Sequence, residues 1–243
     1  MPKTAFITGA AQGLGAAIAR ALHGAGHRVV LADLNPDKAA LIAASLGPNA
    51  LALPLDVRTK PSFAAAIHAT ESHFGPIDIL VNNAARTQAR DFFSMAPDEW
   101  DDVLNTNLRS VVFGCQLTAQ GMMDRGWGRI LNLASIAGQR GGPQVQGAHY
   151  AASKAGIIGL TRYLAQQFAP FGVTVNTIAP GTILTEQTAL APPDKVALVV
   201  GQIPLKRIGQ AHEVGDLAAF LASDSAAFIT GTTQDINGGV LMR

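Results

Sequence analysis

The feature that most constrains this chain is a regular alternation of short apolar runs with longer segments of helical periodicity. The first run, Thr4–Thr8, leads through a glycine-rich turn into a helical pattern over residues 13–25. The predicted strands are Thr4–Thr8, Arg28–Asp33, 50–56, 78–82, 129–134, 173–178 and Thr233–Ile236. Strands that alternate with helices are typical of a parallel sheet. Nearly continuous apolar strands indicate that both faces of that sheet are buried.

The helical patterns fit a single α/β domain. Besides residues 13–25 they cover a segment after Pro36, 61–74, 97–124 with room for a break, 149–169 and Ala211–Ala222. A chain of 243 residues is an ordinary length for one domain. We therefore predict a Rossmann-type doubly wound sheet of about seven parallel strands, with helices on both faces, in one domain over residues 1–243. Residues 181–204 carry few strand signals, and we expect a functional loop there.

Composition excludes several classes of protein. Hydrophobic residues make up 48% of the chain, which suits a large core and not a disordered segment. The net charge of +1 gives no reason to expect nucleic acid or an anionic membrane as a partner. The chain has one cysteine, Cys115, so no internal disulfide can form, which fits a reducing compartment. No signal peptide or membrane-length apolar stretch is visible, and we expect a soluble cytoplasmic protein.

The glycine-rich turn predicts a site for a phosphate group. Gly9, Gly13 and Gly15 follow the first strand and open the first helix, in the spacing G-x-x-x-G-x-G. Glycines let the backbone approach a pyrophosphate closely, and the free N–H groups of a helix N-terminus attract an anion. A strand before the turn and a helix after it are the context expected for a dinucleotide. An ordinary glycine-rich turn is the alternative.

Asp33, at the end of the second strand, indicates which dinucleotide binds. A carboxylate there can accept hydrogen bonds from the adenosine ribose hydroxyls and would repel a 2′-phosphate. The residues that follow are Leu34, Asn35 and Pro36, and position 12 is Gln12, so no basic group adjoins it in the sequence. We therefore predict NAD rather than NADP as the cofactor. The alternative is that Asp33 merely caps the next helix or starts a turn.

Tyr150 and Lys154 lie four residues apart in a predicted helix, so their side chains share one face. A free phenol has a pKa of about 10, too high for an efficient base near neutrality. A nearby ammonium favours the phenolate, and we expect Lys154 to lower the pKa of Tyr150. Ser135 ends the fifth strand, where its hydroxyl can hold a substrate oxygen. Together with the glycine turn, this pair indicates hydride transfer on a nicotinamide cofactor.

Taken in order, these motifs resemble those of the short-chain dehydrogenase/reductase family. The resemblance is carried by Thr8-Gly9-x-x-x-Gly13-x-Gly15, Asp56-Val57, Asn82-Asn83-Ala84-Ala85, Asn107, Ser135, Tyr150-x-x-x-Lys154 and Asn176-x-x-x-Pro180-Gly181-x-x-x-Thr185. The match spans almost the whole chain. It implies the catalytic set Asn107, Ser135, Tyr150 and Lys154, and a homotetramer that pairs the two long helices. We predict no metal site.

The resemblance also implies individual roles. Tyr150 is the acid/base, Lys154 also binds the nicotinamide ribose, and Asn107 positions a water that links the lysine to solvent; a helix-bending role is the alternative for Asn107. Asp56 contacts the adenine, and Asn82 approaches the adenosine half. The predicted cofactor contacts are Gly9, Gln12, Gly13, Leu14, Gly15, Asp33, Leu34, Asp56, Val57, Asn82, Ala84, Tyr150, Lys154, Pro180, Gly181, Ile183 and Thr185. The last four resemble the segment that holds the nicotinamide carboxamide.

Two departures from the family pattern concern the site. Ala85 stands where the family usually has glycine, and its extra methyl is tolerable unless the position needs a positive φ. Fifteen positions separate Ser135 from Tyr150, whereas thirteen are more usual in the family. The added length falls near Gln139 and Arg140, in a loop that would border the substrate.

The predicted rim of the substrate pocket is polar. Its residues are Gln139, Gln144, Gln146, His149 and Thr188. We therefore expect a small hydroxylated substrate, such as a polyol, sugar or hydroxy acid, oxidised at a secondary alcohol and held by Ser135, Gln144 and Tyr150. His149 either touches this substrate or serves as a surface or capping histidine.

Two other functions stay open at this point. A 3-oxoacyl-thioester (acyl carrier protein) reductase shares the fold and the catalytic residues and normally uses NADPH, and Asp33 argues against it. A non-catalytic dinucleotide-sensing scaffold would need the glycine turn alone. The presence of Ser135, Tyr150 and Lys154 argues against that second alternative.

Overall fold

A computed structural model describes residues 2–141, 146–186, 188–190 and 192–243. Its centre is a seven-stranded sheet in which every neighbouring pair is parallel, in the order β3-β2-β1-β4-β5-β6-β9. These strands are β1 (Thr4–Thr8), β2 (Arg28–Asp33), β3 (Ala50–Pro54), β4 (Ile79–Asn82), β5 (Gly128–Leu133), β6 (Val173–Pro180) and β9 (Thr233–Ile236). The short strands β7 (Ile183–Leu184) and β8 (Gly209–Gln210) pair separately. The predicted doubly wound α/β sheet is confirmed.

Helices connect the strands. They are α1 (Gly13–Gly24), α2 (Pro36–Leu46), α3 (Lys60–Phe74), α4 (Pro97–Leu104), α5 (Ser110–Asp124), α6 (Ala137–Arg140), α7 (Ala148–Phe168), α8 (Pro193–Gln202) and α9 (Ala211–Ala222). Where a predicted element matches an observed one, the boundaries agree to within about two residues, the usual uncertainty at element ends. Within the described ranges, no helix is both long and apolar enough to cross a membrane.

Each face of the sheet has its own hydrophobic core. On one face α1, α2 and α9 pack, for example through Ile18 and Val214. On the other face α3, α5 and α7 pack, for example through Phe63, Cys115 and Ile157. Burial raises the pKa of the Cys115 thiol to about 12, so this cysteine behaves as a small apolar side chain. Two covered faces explain why the strands read as continuous apolar runs.

The strand order reverses between β1 and β4, and this reversal determines where a ligand can bind. The parallel strands all end at the same edge of the sheet; their last residues include Thr8, Asp33, Asn82, Leu133 and Pro180. In open α/β sheets the crevice outside these carboxyl ends, at the point of reversal, is where ligands bind. The sequence motifs therefore meet at one edge.

The break allowed for in the helical pattern over residues 97–124 is present as a π-helical turn at Asn105–Arg109, which carries Asn107.

One predicted segment differs from the structure. Residues 181–204, predicted as an irregular loop, contain β7, a 3-10 turn at Thr188–Leu190 and α8. Pro193 is the reason: proline interrupts a helix interior but is favoured at the first helical position, where Pro193 lies.

Candidate active site

The glycine turn forms a tight cradle at the start of α1. Gly9 and Gly13 have positive φ angles of 66° and 54°, which favour glycine. A Cβ added to Gly9 would lie 2.8 Å from the Cα of Ala84, and one added to Gly15 would overlap the carbonyl oxygen of Gly9. A side chain at either position would collide with the backbone or with Asn83, so only glycine allows a turn this tight before the helix. The residues present therefore fit a dinucleotide.

Asn83 fastens this cradle to the end of β4. Its amide Nδ2 donates to the carbonyl oxygens of Thr8 and Gly9, both at 2.9 Å. The Thr8 hydroxyl accepts from the backbone N–H groups of Asn83 and Ala84, both at 3.0 Å. These roles of Thr8 and Asn83 join residues about 75 positions apart, so the sequence motifs that contain the two residues did not reveal them.

Asn82, by contrast, does not present its side chain to a ligand. Its Nδ2 donates to Asn132 Oδ1 at 2.8 Å and contacts Cys115 Sγ at 3.8 Å, inside the core. Its Oδ1 would lie 2.6 Å from a Cβ built on Gly114. Side-chain contact between Asn82 and a dinucleotide is therefore not what this geometry favours, because the amide is already used to hold β4 to β5.

Asp33 is held in place by two backbone groups. Its Oδ2 accepts from the N–H of Ala11 and its Oδ1 from the N–H of Asn35, both at 2.9 Å. The cap of α2 is Asn35, whose side chain accepts from the Lys38 N–H at 3.0 Å. Asp33 therefore does not cap α2, but its hydrogen bond to the Asn35 N–H does form a turn, as the alternative allowed. Its bond to the Ala11 N–H also places the carboxylate beside the glycine turn.

A lysine that is distant in the sequence contacts the glycine turn. Lys38 Nζ lies 2.5 Å from Gln12 Oε1, within the glycine turn. No basic residue adjoins Asp33 in the sequence or lies in the glycine turn, but the first turn of α2 packs against this turn and brings Lys38 to it. Leu34, beside Asp33, is 71% exposed.

Tyr150, Lys154 and Ser135 meet at the carboxyl end of β5. Ser135 is buried, and its hydroxyl accepts from the Ala137 N–H at 3.1 Å. Lys154 is 2% exposed, its Nζ lies 5.6 Å from the centroid of the Tyr150 ring and it donates to the carbonyl oxygen of Leu133 at 2.6 Å. The spacing of four residues on α7 places both side chains toward β5, as predicted.

The protonation of this pair differs from the expectation. Burial lowers the pKa of Lys154 to about 7, because the ammonium loses water and, among the described residues, gains no carboxylate partner. Burial also raises the pKa of Tyr150, while the neighbouring Ser135 hydroxyl acts in the opposite direction. The predicted lowering of the Tyr150 pKa is thus wrong for this state of the protein. The site favours a neutral phenol, which is a proton donor.

Asn107 lies in the π-helical turn with its side chain fully engaged. Its Oδ1 accepts from the Arg86 N–H at 2.7 Å, and its Nδ2 donates to the Arg86 carbonyl at 2.9 Å and to Ser153 Oγ at 3.1 Å. Ser153 in turn donates to the Tyr150 carbonyl at 2.7 Å. Asn107 therefore connects the loop after β4 to the first turns of α7. π-Helical turns are frequent at functional sites, and the water relay stays a prediction.

Asp56, predicted to contact the adenine, is occupied by a neighbouring cation. Arg58 donates to both of its carboxylate oxygens, at 2.9 Å and 2.7 Å, and this pairing lowers the pKa of Asp56. Arg58 also approaches Asp102, which pairs with Arg86 at 2.8 Å. The adenine contact stays a prediction.

The remaining cofactor candidates line the end of β6 and the segment after it. Pro180 ends β6, Gly181 packs so closely on Asn237 that a Cβ would lie 2.9 Å from its Cα, and Ile183 is buried. A Cβ built on Gly13 would lie 3.6 Å from Thr185 Cγ2, so this segment covers the glycine turn. Leu14, in α1, packs against the core on one face of the sheet, whereas Val57 and Ala84 pack in the core on the other face. Their contacts with the cofactor stay predictions.

Three of the polar residues predicted to border the substrate form hydrogen bonds within the protein. Gln139 donates to Asp235 at 2.7 Å, Thr188 donates to the Ile183 carbonyl at 2.9 Å, and His149 is fully buried, with Nδ1 accepting from the Tyr150 N–H at 2.8 Å. His149 lies inside the first turn of α7, whose N-cap residue is Gly147, so it is a buried histidine and neither a surface nor a capping one. Burial lowers its pKa. Gln144 lies outside the described residues.

Apolar side chains are exposed in the segment that follows Thr185. Leu190 is 85% exposed and Leu198, on α8, is 69% exposed. The exposed side of this segment is therefore apolar. Of the predicted polar rim, Thr188 is paired within its own segment, and Gln139 is paired through Nε2 while its buried Oε1 has no partner among the described residues.

Comparison with known proteins decides the family. A sequence model of the family described as enoyl-(acyl carrier protein) reductase matches residues 9–241. The 3-oxoacyl-(acyl-carrier-protein) reductase FabG of Escherichia coli (strain K12) is 40% identical over 241 residues, covering 99% of this chain and 98% of the relative. The acetoacetyl-CoA reductase of Shinella zoogloeoides is 43% identical over 242 residues, covering 98% of each.

The chain belongs to the short-chain dehydrogenase/reductase family. Membership in the short-chain dehydrogenase/reductase family makes the protein an oxidoreductase with a nicotinamide dinucleotide cofactor. The same relatives correct the expected activity. Matches of 38% to 43% identity over the full chain carry the names of 3-oxoacyl-thioester reductases, which was the alternative, and the polyol dehydrogenase prediction is wrong.

Proposed function

We propose that this protein reduces the 3-oxo group of an acyl thioester, carried by coenzyme A or by an acyl carrier protein, to the 3-hydroxyacyl thioester. The observation that carries the proposal is the full-length similarity to 3-oxoacyl-(acyl-carrier-protein) and acetoacetyl-CoA reductases. The phenol of Tyr150 beside the Ser135 hydroxyl supports the proposal, because reduction of a ketone requires a proton donor at the carbonyl oxygen.

In this mechanism the chain supplies binding, orientation and a proton. The dinucleotide, when bound at the glycine turn, supplies the hydride that the carbonyl carbon receives. Ser135 and Tyr150 hold the ketone oxygen, and Tyr150 donates its phenolic proton to that oxygen as the alcohol forms. Lys154, held by the Leu133 carbonyl, lies one helical turn away and supplies positive charge that stabilises the phenolate left on Tyr150. Asn107 fixes the backbone of this turn through Ser153.

The test is a substrate panel with the purified protein. Acetoacetyl-CoA and 3-oxoacyl thioesters of acyl carrier protein are offered with NADH or NADPH, and polyols, sugars and hydroxy acids with NAD or NADP. We expect kcat/KM for the better thioester to exceed that for every polyol by at least about 100-fold, since the relatives are named as reductases of such thioesters. Higher kcat/KM with a polyol or sugar would overturn the proposal. The ratio between the two thioesters identifies the carrier.

We further propose NAD(H) as the preferred cofactor, with Asp33 as the reason. Hydrogen bonds to a charged group contribute about 1.5–3 kcal/mol each. We expect Asp33→Ser to weaken NADH binding about 10-fold and to improve NADPH binding, because the charge that repels a 2′-phosphate is gone. Fluorescence titration of both reduced cofactors measures the two dissociation constants.

The matched control for Asp33 is Asp37→Ser, at an exposed position in the first turn of α2, which should change neither constant. Lys38 lies at Gln12 and can approach a 2′-phosphate once Asp33 is neutral. The gain in NADPH binding should therefore shrink in Asp33→Ser/Lys38→Met. An unchanged NADH constant in Asp33→Ser would contradict the proposed role.

We also propose that the protein is a cytoplasmic homotetramer. Exposed aromatic side chains support assembly: Phe93 is 94% exposed, Phe171 50% and Phe228 essentially fully. The buried, unpaired thiol of Cys115 fits a reducing compartment. Sedimentation equilibrium should give four times the 25.2 kDa chain mass. A monomeric mass, or recovery of the protein in an oxidising extracytoplasmic fraction, would contradict this assignment.

A further inference from the structure

A carboxylate from a distant part of the chain lies at the N-terminus of α1. Glu186 Oε2 accepts a hydrogen bond from the N–H of Gly13 at 3.1 Å, although 173 residues separate the two in the sequence. A Cβ built on Gly13 would lie 3.9 Å from the same oxygen. The segment of Thr185 and Glu186 therefore covers the glycine turn directly.

Helix α1 has no negative charge of its own near its N-terminus, which carries the positive end of the helix dipole. Its first turn holds no acidic residue, and the side chain of Gln12, its N-cap residue, makes no capping hydrogen bond. The Gln12 side chain lies instead against Lys38. Free N–H groups and a positive dipole end attract a negative charge, and within the described residues Glu186 is the carboxylate that satisfies Gly13.

A dinucleotide brings a second anion to the same place. Its pyrophosphate is expected at the N–H groups of the glycine turn, next to the carboxylate of Glu186. Two negative charges this close repel each other, and the repulsion grows as less water lies between them. We propose that Glu186 limits the affinity of the glycine turn for the dinucleotide pyrophosphate, acting as a built-in competing anion at Gly13.

A groove beside the turn gives the carboxylate somewhere to move. This groove, with a volume of about 560 Å³, lies between α1, the Thr185–Glu186 segment and α9, and its lining includes Arg20 and His212. A displaced Glu186 can turn toward these side chains. Dinucleotide binding then exchanges one anion at Gly13 for another, and release is assisted when Glu186 returns. Product release limits the rate of many enzymes. Weaker binding of the dinucleotide would therefore speed its release after each turnover.

The experiment measures binding without any ketone. Dissociation constants for NADH, ADP-ribose and adenosine are determined by titration of the wild type and Glu186→Gln at neutral pH and low ionic strength. Gln keeps an oxygen acceptor for Gly13 and removes the charge. We expect NADH and ADP-ribose to bind about 3- to 10-fold more tightly to Glu186→Gln, with adenosine unchanged, since adenosine carries no phosphate. The gain should shrink in about 0.5 M salt, where charges are screened.

Asp194→Asn is the matched control, because it removes the same charge from an exposed position at the start of α8. It should leave all three constants unchanged. Equal or weaker binding of ADP-ribose to Glu186→Gln would overturn the proposal, as would an equal gain for adenosine or for Asp194→Asn. Glu186→Ala, which removes the acceptor as well, should also bind more tightly; weaker binding there together with no gain in Glu186→Gln would mean that Glu186 acts as a helix cap alone.

This inference depends on the dinucleotide site and not on which ketone is reduced. Failure of the thioester assay leaves the binding results intact, and failure of Glu186→Gln to bind more tightly leaves the thioester proposal intact. Absence of NADH binding in the wild type would overturn the inference itself.

Discussion

Tyr150→Phe is expected to lower kcat for thioester reduction by about 1,000-fold or more. The change removes the phenolic oxygen and proton and leaves the ring that packs at the carboxyl end of β5. General acid catalysis by a positioned side chain contributes about 10²- to 10⁴-fold, and the Tyr150 site is built to keep the proton on the phenol, since burial raises its pKa. Steady-state kinetics with saturating thioester and reduced cofactor measures the loss.

The chain provides an internal control for this experiment. Tyr163 lies on the same helix, α7, and is 61% exposed, so Tyr163→Phe should leave kcat unchanged. The dissociation constant for NADH should change by less than about threefold in Tyr150→Phe, because the phenol is not needed to hold the glycine turn. Turnover within tenfold of wild type in Tyr150→Phe would mean that another group donates the proton, and loss of NADH binding would mean that the phenol holds the cofactor.

Lys154→Met is expected to abolish most activity and to make the protein without cofactor more stable. The ammonium is buried with a pKa lowered to about 7, against an unperturbed value of 10.5, so folding is opposed by the loss of hydration around the charge. A shift of this size corresponds to about 5 kcal/mol when the group is charged. The lost hydrogen bond to Leu133 offsets part of this. We expect a net gain of about 2 kcal/mol, or roughly 4–8 °C in Tm for a domain of this size.

The pH dependence of this gain identifies its cause. Between the folded pKa of about 7 and the unfolded value of 10.5, the unfolded chain binds more protons than the folded one at Lys154. Stability of the wild type therefore rises with pH across this window. The Tm difference between Lys154→Met and wild type should be largest below pH 7 and shrink toward pH 10. Differential scanning calorimetry of the protein without cofactor measures it.

Lys195→Met serves as the control, because Lys195 is exposed on α8 and its removal should shift Tm by less than about 1 °C. A lower Tm for Lys154→Met at pH 6 would show that the ammonium stabilises the fold and would contradict the pKa assignment.

Local patterns in the sequence predicted most of the fold and the centre of the site. The alternation of apolar runs and helical periods depends on residues close in the chain, and it gave the seven parallel strands to within about two residues. The spacing of Tyr150 and Lys154 on one helix and the position of Gly9, Gly13 and Gly15 after a strand are also local. These features follow from helix and strand geometry, so they could be recognised without coordinates.

Contacts between distant parts of the chain could not be recognised in this way. The amide of Asn83 reaches Gly9 across 74 positions, and Glu186 reaches Gly13 across 173. Lys38 reaches Gln12 because α2 folds back over the turn between β1 and α1. Gln139 was predicted to border the substrate, but its amide Nε2 donates to Asp235, 96 positions away in the sequence. Thr188, predicted at the same rim, donates to the Ile183 carbonyl.

The sequence by itself determined the architecture, the glycine turn and the identity of the Tyr150–Lys154 pair, because each is written in short-range spacing. The tertiary structure decided the protonation of that pair and the character of the pocket rim. Both depend on how completely water is removed and on which distant group lies within hydrogen-bond distance. Desolvation and long-range pairing arise only when the sheet, α7 and the segment after β6 are packed together, so no local pattern contains them.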